Sequence, residues 1–197
     1  MDDKKFNLLD EPWICVMKEN GEVKELSLMD VLLHAHQYRR LAGELPTQDV
    51  AVLRLLLAVL QTVVYRYDTD GNEDELVETE DAYERWKEIW NDGKLPDKPI
   101  QEYLTKWKAR FYLYDSDRPF YQVPKAAIGT ECKAAKLNGE ISESSNKLRL
   151  FSNRAGKEKE FLSNSEAARW LLYLNGYDDT SAKPKEKGLP SPGTGWL

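Results

Sequence analysis

The histidines and cysteines are the side chains of this sequence that could carry acid–base, nucleophilic or metal chemistry, and there are only two of each. His34 and His36 fall on a predicted helix about 200° apart, so they cannot bind one metal ion together. We expect one partly buried and one solvated imidazole. Cys15 lies in a predicted apolar strand, which favours an inert thiol. Cys132 would become a nucleophile only if the fold brought a histidine to it.

The motifs that usually mark an active site are missing from the sequence. There is no phosphate-binding loop, no dinucleotide fingerprint after a strand and no serine in a nucleophile elbow. The acidic pair Asp178-Asp179 has no third ligand near it and predicts a turn. The sequence therefore predicts that the protein is not an enzyme and binds no metal or cofactor. An enzyme that uses Cys or His remains the weakest hypothesis, behind the nucleic-acid-binding and protein-adaptor hypotheses developed below.

Basic residues gather in the last third of the chain and predict a loop that binds nucleic acid. In such a loop arginine and lysine would contact phosphates, Phe151 would stack on a base and Asn153 would hydrogen-bond a base edge. In the alternative, Phe151 packs inward in a β-hairpin while the cations stay solvated, and composition alone favours this alternative. The basic residues concerned are Lys147, Arg149, Arg154, Lys157 and Lys159. A second group, Lys183, Lys185 and Lys187, is read first as a solvated loop.

Charge is distributed unevenly around a formal net of −6. Residues 133–197 carry 11 Lys and Arg against 8 Asp and Glu, whereas residues 68–102 carry 13 acidic and 4 basic side chains. An acidic helix in the second stretch would repel phosphate. The overall acidity argues against a stand-alone DNA-binding domain.

The elements that would position these residues indicate an α+β fold of mixed helices and short antiparallel hairpins. A length of 197 residues suits one ordinary domain or two small ones, and 11% aromatic side chains exclude disorder of the whole chain. Strands are predicted at 13–17 and 22–26 around an Asn20-Gly21 turn, and at 148–151 and 160–162. Two widely spaced cysteines suit a reducing cytosol.

The predicted helices follow from capping residues and apolar spacing. A capping box of Ser27 and Asp30 would open a helix reaching Tyr38, and Thr47 would cap a helix whose run 50–65 is too short and too polar for a membrane. The other predicted helices are 73–91, from Pro99 to Lys108, and 165–175 after a capping box of Ser163 and Glu166. The first of these would place Leu76, Tyr83, Trp86 and Trp90 on one face, and the last would bury Trp170, Leu171 and Leu174.

Short segments, taken in order along the chain, carry a resemblance to a known family. They are FNLLDEPWI at 6–14, LPT at 45–47, FYL at 111–113, RPFYQ at 118–122, LFSN at 150–153 and PSPGTGWL at 190–197. Together they resemble the CasA family, the large subunits of the type I-E CRISPR surveillance complex Cascade. Members of that family are much longer, with a C-terminal helical bundle. The resemblance therefore implies that residues 1–197 are an incomplete N-terminal part of the larger α/β domain.

The resemblance implies a non-catalytic cytoplasmic subunit with no role at a membrane. Its partners would be the other Cascade subunits, the 5′ handle of the guide RNA, target double-stranded DNA bearing the protospacer-adjacent motif, and the helicase-nuclease. Phe151 and Asn153 match the family's mobile loop, here about 138–160. The family's glycine loop for the minor groove would fall in the irregular Gly/Pro stretch 176–195. No glycine run occurs there, so this stretch departs from the family's pattern. The resemblance leaves Ser181, Ala182 and Lys183 as the candidates for reading the motif.

A second hypothesis from the residues is a protein–protein adaptor with no role in nucleic-acid binding. It would use an aromatic surface around residues 111–121, where Phe and Tyr are dense.

Overall fold

The computed structural model describes residues 6–124, 134–137, 154 and 160–177, and it confirms the α+β class. Within these residues, helices pack around a three-stranded antiparallel sheet. The strands are β1 (Ile14–Met17), β2 (Val23–Leu26) and β3 (Arg40–Leu41). The helices are α1 (Leu28–Leu33), α2 (Pro46–Arg66), α3 (Thr79–Asp92), α4 (Asp97–Trp107), α5 (Ala134–Leu137) and α6 (Asn164–Tyr177).

The predicted hairpin is confirmed and forms two of the three strands. β1 pairs with β2 from Ile14 opposite Leu26 to Met17 opposite Val23. Gly21 takes the left-handed conformation (φ 83°) that this turn requires. The third strand was not predicted, because β3 has only two residues and depends on pairing with the far edge of β1.

Ser27 caps α1 as predicted, since the Asp30 N–H donates to Ser27 Oγ at 3.1 Å. The Asp30 carboxylate accepts from the Ser27 hydroxyl at 2.8 Å, so the cap differs from the predicted capping box, in which it would accept from the backbone N–H. The helix ends at Leu33 rather than Tyr38, and a short 3₁₀ turn, Ala35–Gln37, follows. Both imidazoles, His34 and His36, are exposed, so the expectation of one partly buried histidine was wrong.

The long helix α2 forms the centre of the core. Its N-cap is Leu45 with Pro46 at the first position, so the prediction of Thr47 as the cap was wrong, whereas Asp49 lies in the first turn as expected. Length and mean hydropathy (1.5) would allow α2 to cross a membrane, but half of that window is buried inside the structure. α2 packs against α4 and α6 as a core helix.

α3 begins at Thr79, six residues later than predicted. The preceding segment instead pairs with the end of α2, where the Asp74 N–H donates to the Arg66 carbonyl and the Leu76 N–H donates to the Tyr65 carbonyl, both at 2.9 Å. These partners satisfy the backbone without a helix. The helix then ends at the predicted Gly93, whose φ is 72°.

The aromatic segment after α4 pairs with the N-terminal segment of the chain. The Leu8 N–H donates to the Phe111 carbonyl at 2.9 Å, and the Leu113 N–H donates to the Phe6 carbonyl at 2.8 Å. Phe111, Leu113 and Phe120 are consequently buried. The segment proposed as an aromatic adaptor surface therefore buries these three side chains, while Tyr114 (48% exposed) and Tyr121 (51% exposed) lie at the surface.

The remaining helices differ from their predicted limits by a few residues. α4 begins at Asp97 rather than Pro99, and α6 begins one residue earlier and ends two residues later than predicted. Trp170 is buried as expected, while Leu171 and Leu174 are half-buried. Residues 160–162 form no strand, and the other predicted strand, 148–151, lies outside the described residues.

Candidate nucleic-acid interface

Of the residues predicted to bind nucleic acid, Arg154 lies within the part of the chain that the structure describes. The others in the first basic group lie outside the described residues: Lys147, Arg149, Phe151, Asn153, Lys157 and Lys159. The candidates for motif reading, Ser181, Ala182 and Lys183, also lie outside them. Their roles stay predictions, and the geometry of the site is built around Arg154.

The Arg154 guanidinium lies between two carboxylates. Its Nη2 donates to both carboxylate oxygens of Glu44 at 2.7 Å and lies 2.9 Å from Glu166 Oε1. The Arg154 side chain is only 9% exposed, and the side chains of Glu44 and Glu166 are 29% and 27% exposed. Charge-assisted bonds of this length are among the stronger polar contacts in proteins.

Glu44 is held in place by the start of α2. The Gly43 N–H donates to Asp49 Oδ1 at 2.7 Å, and the Glu44 N–H donates to Gln48 Oε1 at 3.1 Å. A Cβ at Gly43 would lie 2.7 Å from both of those oxygens, so the loop needs glycine there. Trp170 of α6 donates from Nε1 to Glu44 Oε1 at 3.1 Å. Glu44 therefore joins α6 and Arg154 to the start of the core helix.

Glu166 serves both the helix cap and the ion pair. The Ser163 N–H donates to Glu166 Oε2 at 2.7 Å, and the Glu166 N–H donates to Ser163 Oγ at 3.2 Å, which confirms the predicted capping box. Burial favours the neutral acid, but the Ser163 hydrogen bonds and the Arg154 charge outweigh it and lower the pKa of Glu166. The carboxylate is ionised at neutral pH.

Burial also opposes the charge on Arg154, but Glu44 and Glu166 outweigh it and raise the pKa of its guanidinium. The arginine acts in this structure as a cross-link between residue 154, the loop before α2 and the first turn of α6. Sequence reasoning selected Arg154 for its charge and missed Glu44, which is 110 residues away in sequence. The other carboxylate partner, Glu166, could be located from the sequence, because the Ser163–Glu166 capping pattern placed it in the first turn of α6.

A second arginine, Arg169, fixes α6 to the hairpin and was also missed from the sequence. Its Nη1 donates to the Trp13 carbonyl at 2.7 Å and to Glu25 Oε1 at 2.6 Å. The side chain is buried, and its Nε has no hydrogen-bond partner within the part of the chain that the structure describes. Amphipathic spacing pointed to Trp170 in this helix, but it gave no sign that the arginine before it faces the core.

Cys15, His34 and His36 are the described residues that the sequence offered for nucleophilic or acid–base chemistry. Burial raises the pKa of the Cys15 thiol to about 11. The nearby Glu25 carboxylate also raises it, whereas the positive charge of Arg169 lowers it. Among the described residues, no three His, Cys, Asp or Glu side chains are placed to hold a metal ion. Cys132 lies outside those residues.

We expect Cys15 to react slowly with iodoacetamide. In a Cys132→Ser background at pH 8, the rate should be roughly tenfold to twentyfold below that of a free cysteine, because the fraction of thiolate falls more than its nucleophilicity rises. The pH–rate profile should have its midpoint near 11. A plateau below pH 9 would contradict the buried-thiol assignment, and Glu25→Gln should shift the midpoint to lower pH.

Comparisons with known proteins identify the family. Residues 7–197 match the family model for CRISPR-associated protein Cse1. A curated relative, CRISPR-associated protein CasA/Cse1 of Thermus thermophilus, is 33% identical over 169 residues, which are 86% of this chain and 31% of that protein. The crystal structure of Thermobifida fusca Cse1 superposes with a TM-score of 0.71 at 33% identity, covering 93% of this chain and 33% of that one.

A chain in a structure of a CRISPR RNA-guided surveillance complex shares the fold, with a TM-score of 0.65 at 21% identity over 86% of this chain and 34% of that chain. This chain thus spans about a third of the length of these relatives. The match over nearly the whole sequence, with the α+β fold it accompanies, shows that this chain belongs to the Cse1/CasA family of CRISPR-associated proteins.

Proposed function

We propose that this chain is the N-terminal part of the large subunit of a Cascade-type surveillance complex in the cytoplasm. Its roles would be to contact the 5′ handle of the guide RNA, to help recognise the protospacer-adjacent motif in target double-stranded DNA and to help recruit the helicase-nuclease. The observation that carries the proposal is the family match over residues 7–197. Support for assembly with other Cascade subunits comes from the shared fold of the surveillance-complex chain.

The subunit would act by binding rather than by catalysis. In RNA-guided recognition, base pairing reads the target sequence, while protein reads a short motif and the shape of the duplex. Phosphate contacts from arginine and lysine then position the complex on DNA. The raised pKa of Cys15 and the exposed, separate histidines are consistent with a subunit that has no catalytic centre.

Residues 138–160 would be the nucleic-acid loop, anchored by Arg154. Lys147, Arg149, Lys157 and Lys159 would contact phosphates, while Phe151 and Asn153 would contact bases. Arg154 itself already serves two carboxylates, so we assign it to positioning the loop. The stretch 176–195 would supply motif reading through Ser181, Ala182 and Lys183.

Charge reversal in the full assembly tests this assignment. With Arg149→Glu and Lys157→Glu combined, binding of target DNA should weaken. The plot of the logarithm of the association constant against the logarithm of the salt concentration has a negative slope, and its magnitude should decrease by about two because two phosphate contacts are lost. The measurement is a filter-binding or anisotropy titration at four or more salt concentrations. Arg154 is left unchanged so that its ion pairs stay intact.

The matched control is Lys106→Glu with Arg110→Glu, which makes the same change in charge at exposed positions elsewhere. An unaltered salt slope in the Arg149/Lys157 variant, or an equal loss in the control, would contradict the proposed loop. An unaltered slope would also favour the adaptor hypothesis, in which the chain contacts only proteins.

A further inference from the structure

Glu44 lies where residue 154, the loop before α2 and helix α6 meet. Its carboxylate accepts from Arg154 Nη2 at 2.7 Å on both oxygens and from Trp170 Nε1 at 3.1 Å on Oε1. Arg154 Nη2 also lies 2.9 Å from Glu166 Oε1. These three charged side chains therefore carry more negative than positive charge, since two carboxylates face one guanidinium.

An excess of negative charge is electrostatically unfavourable beside a segment that binds phosphate. The carboxylates of Glu44 and Glu166 would by their charge alone repel nucleic acid from residue 154. Their contacts give them a different role, because both hold the Arg154 guanidinium. A charged hydrogen bond to a side chain that is only 9% exposed restricts that side chain more than an ion pair in open solvent would.

The position of Glu44 is fixed by contacts that do not involve Arg154. Its N–H donates to Oε1 of Gln48, and Gln48 is fully buried in the first turns of α2. The preceding Gly43 N–H donates to Asp49 Oδ1, on the next residue of the helix. Trp170, which donates to the carboxylate, is buried as well. Glu44 is therefore an acceptor that the core holds in place before the arginine reaches it.

We propose that Glu44 is a positioning residue for nucleic-acid binding, which holds Arg154 so that less ordering is needed when the neighbouring cations bind DNA. The proposal rests on the nucleic-acid role proposed above for residues 138–160. It predicts that removing this negative charge weakens the binding of DNA. Electrostatics alone predicts the opposite sign, because the loss of a carboxylate reduces the repulsion of phosphate.

Glu44→Gln in the full assembly tests the proposal, with target double-stranded DNA that carries the protospacer-adjacent motif as the probe. The amide keeps an acceptor for Trp170 but loses the charge that binds Arg154. Affinity should fall roughly threefold to tenfold, because ordering the arginine then draws on the binding energy. Glu166→Gln should act in the same direction, since glutamine can keep the capping box of α6 while the second carboxylate is removed. Anisotropy titrations measure both changes.

A double-mutant cycle with Arg154→Gln shows whether Glu44 acts through the arginine. Once the guanidinium has been removed, Glu44→Gln should leave the affinity for DNA unchanged or raise it slightly, because only its effect on repulsion is left. A role of Glu44 in stability alone would give the same loss of affinity with and without the arginine, and that result would overturn the proposal. Thermal unfolding of each variant verifies that it is folded at the temperature of the titration.

The matched control is Glu11→Gln, which removes one exposed carboxylate elsewhere and should leave the affinity unchanged. Unchanged or tighter binding by the Glu44→Gln variant, or an equal loss in the control, would overturn the proposal. The combined Arg149→Glu and Lys157→Glu variant separates this failure from that of the proposed function. If that variant binds DNA more weakly and Glu44→Gln does not, only the role of Glu44 is wrong. If charge reversal has no effect, the nucleic-acid role itself is wrong, and the role of Glu44 is wrong with it.

Discussion

Replacing Trp13 with alanine is expected to reduce the free energy of unfolding by about 4 kcal/mol. The indole is fully buried in the core, and its Nε1 donates to the Leu8 carbonyl at 2.9 Å. The substitution removes a large apolar side chain, leaves a cavity and strips a buried carbonyl of its donor. Urea unfolding followed by circular dichroism measures the loss as a lower midpoint at constant m-value.

Two further variants separate the contributions to this loss. Trp13→Phe keeps most of the ring but leaves the Leu8 carbonyl unpaired, so we expect about 1–3 kcal/mol from the hydrogen bond and partial loss of volume. Trp90→Ala is the matched control, since it removes an indole that is almost entirely solvent-exposed and should change stability by less than about 0.5 kcal/mol. A loss below about 1 kcal/mol for Trp13→Ala would contradict the role of the indole in the core.

Much of the local structure could be predicted because it depends on residues close together in sequence. The Asn20-Gly21 turn places a left-handed glycine between the apolar β1 and the more polar β2, and this local pattern was enough to predict the hairpin. The Ser27 and Ser163 caps each bond a backbone N–H three residues ahead. The apolar run of α2 likewise identified a core helix without reference to any other segment.

The errors arise where a distant segment decides the outcome. Residues 73–78 have the composition of an acidic helix, but Asp74 and Leu76 pair with the end of α2 and stay extended. For α3, the spacing of Tyr83, Trp86 and Trp90 predicted a shared face but did not predict that Arg85 is buried, where it donates to the Val64 and Asp74 carbonyls and pairs with the Asp74 carboxylate. These partners belong to α2 and to the segment before α3, so spacing within the helix could not identify them.

In the candidate site, too, local features could be predicted from the sequence and long-range contacts could not. Sequence reasoning could place Arg154 in a basic group because its neighbours are basic, but it had no means to pair it with Glu44 across 110 residues. That pairing changes the interpretation of the residue, since an arginine that bridges two carboxylates holds a segment in place. The cations that keep the phosphate-binding prediction are Lys147, Arg149, Lys157 and Lys159.

Arg169→Met is expected to reduce the free energy of unfolding by about 3 kcal/mol. The variant keeps most of the aliphatic volume but leaves the buried Trp13 carbonyl without its donor, and Glu25 loses its cation. Glu25 is 40% exposed and can be solvated, so the cost should stay at the lower end of the range for broken buried ion pairs. Chemical denaturation measures the loss, with the exposed Arg39→Met as the matched control.

A double-mutant cycle with Glu25→Gln distinguishes the ion pair from the bond to the backbone. If the carbonyl of Trp13 is the main acceptor, Glu25→Gln alone should cost about 1 kcal/mol or less, and the coupling energy should be smaller than the loss in Arg169→Met. Arg169→Lys should recover part of the stability, because an ammonium can donate to one of the two acceptors, the Trp13 carbonyl or Glu25. It lacks the planar guanidinium that donates to both in the native chain. Arg169→Met with stability within about 0.5 kcal/mol of the native chain would contradict the argument that this arginine fixes α6 to the hairpin, since burying an unpaired carbonyl alone exceeds that cost.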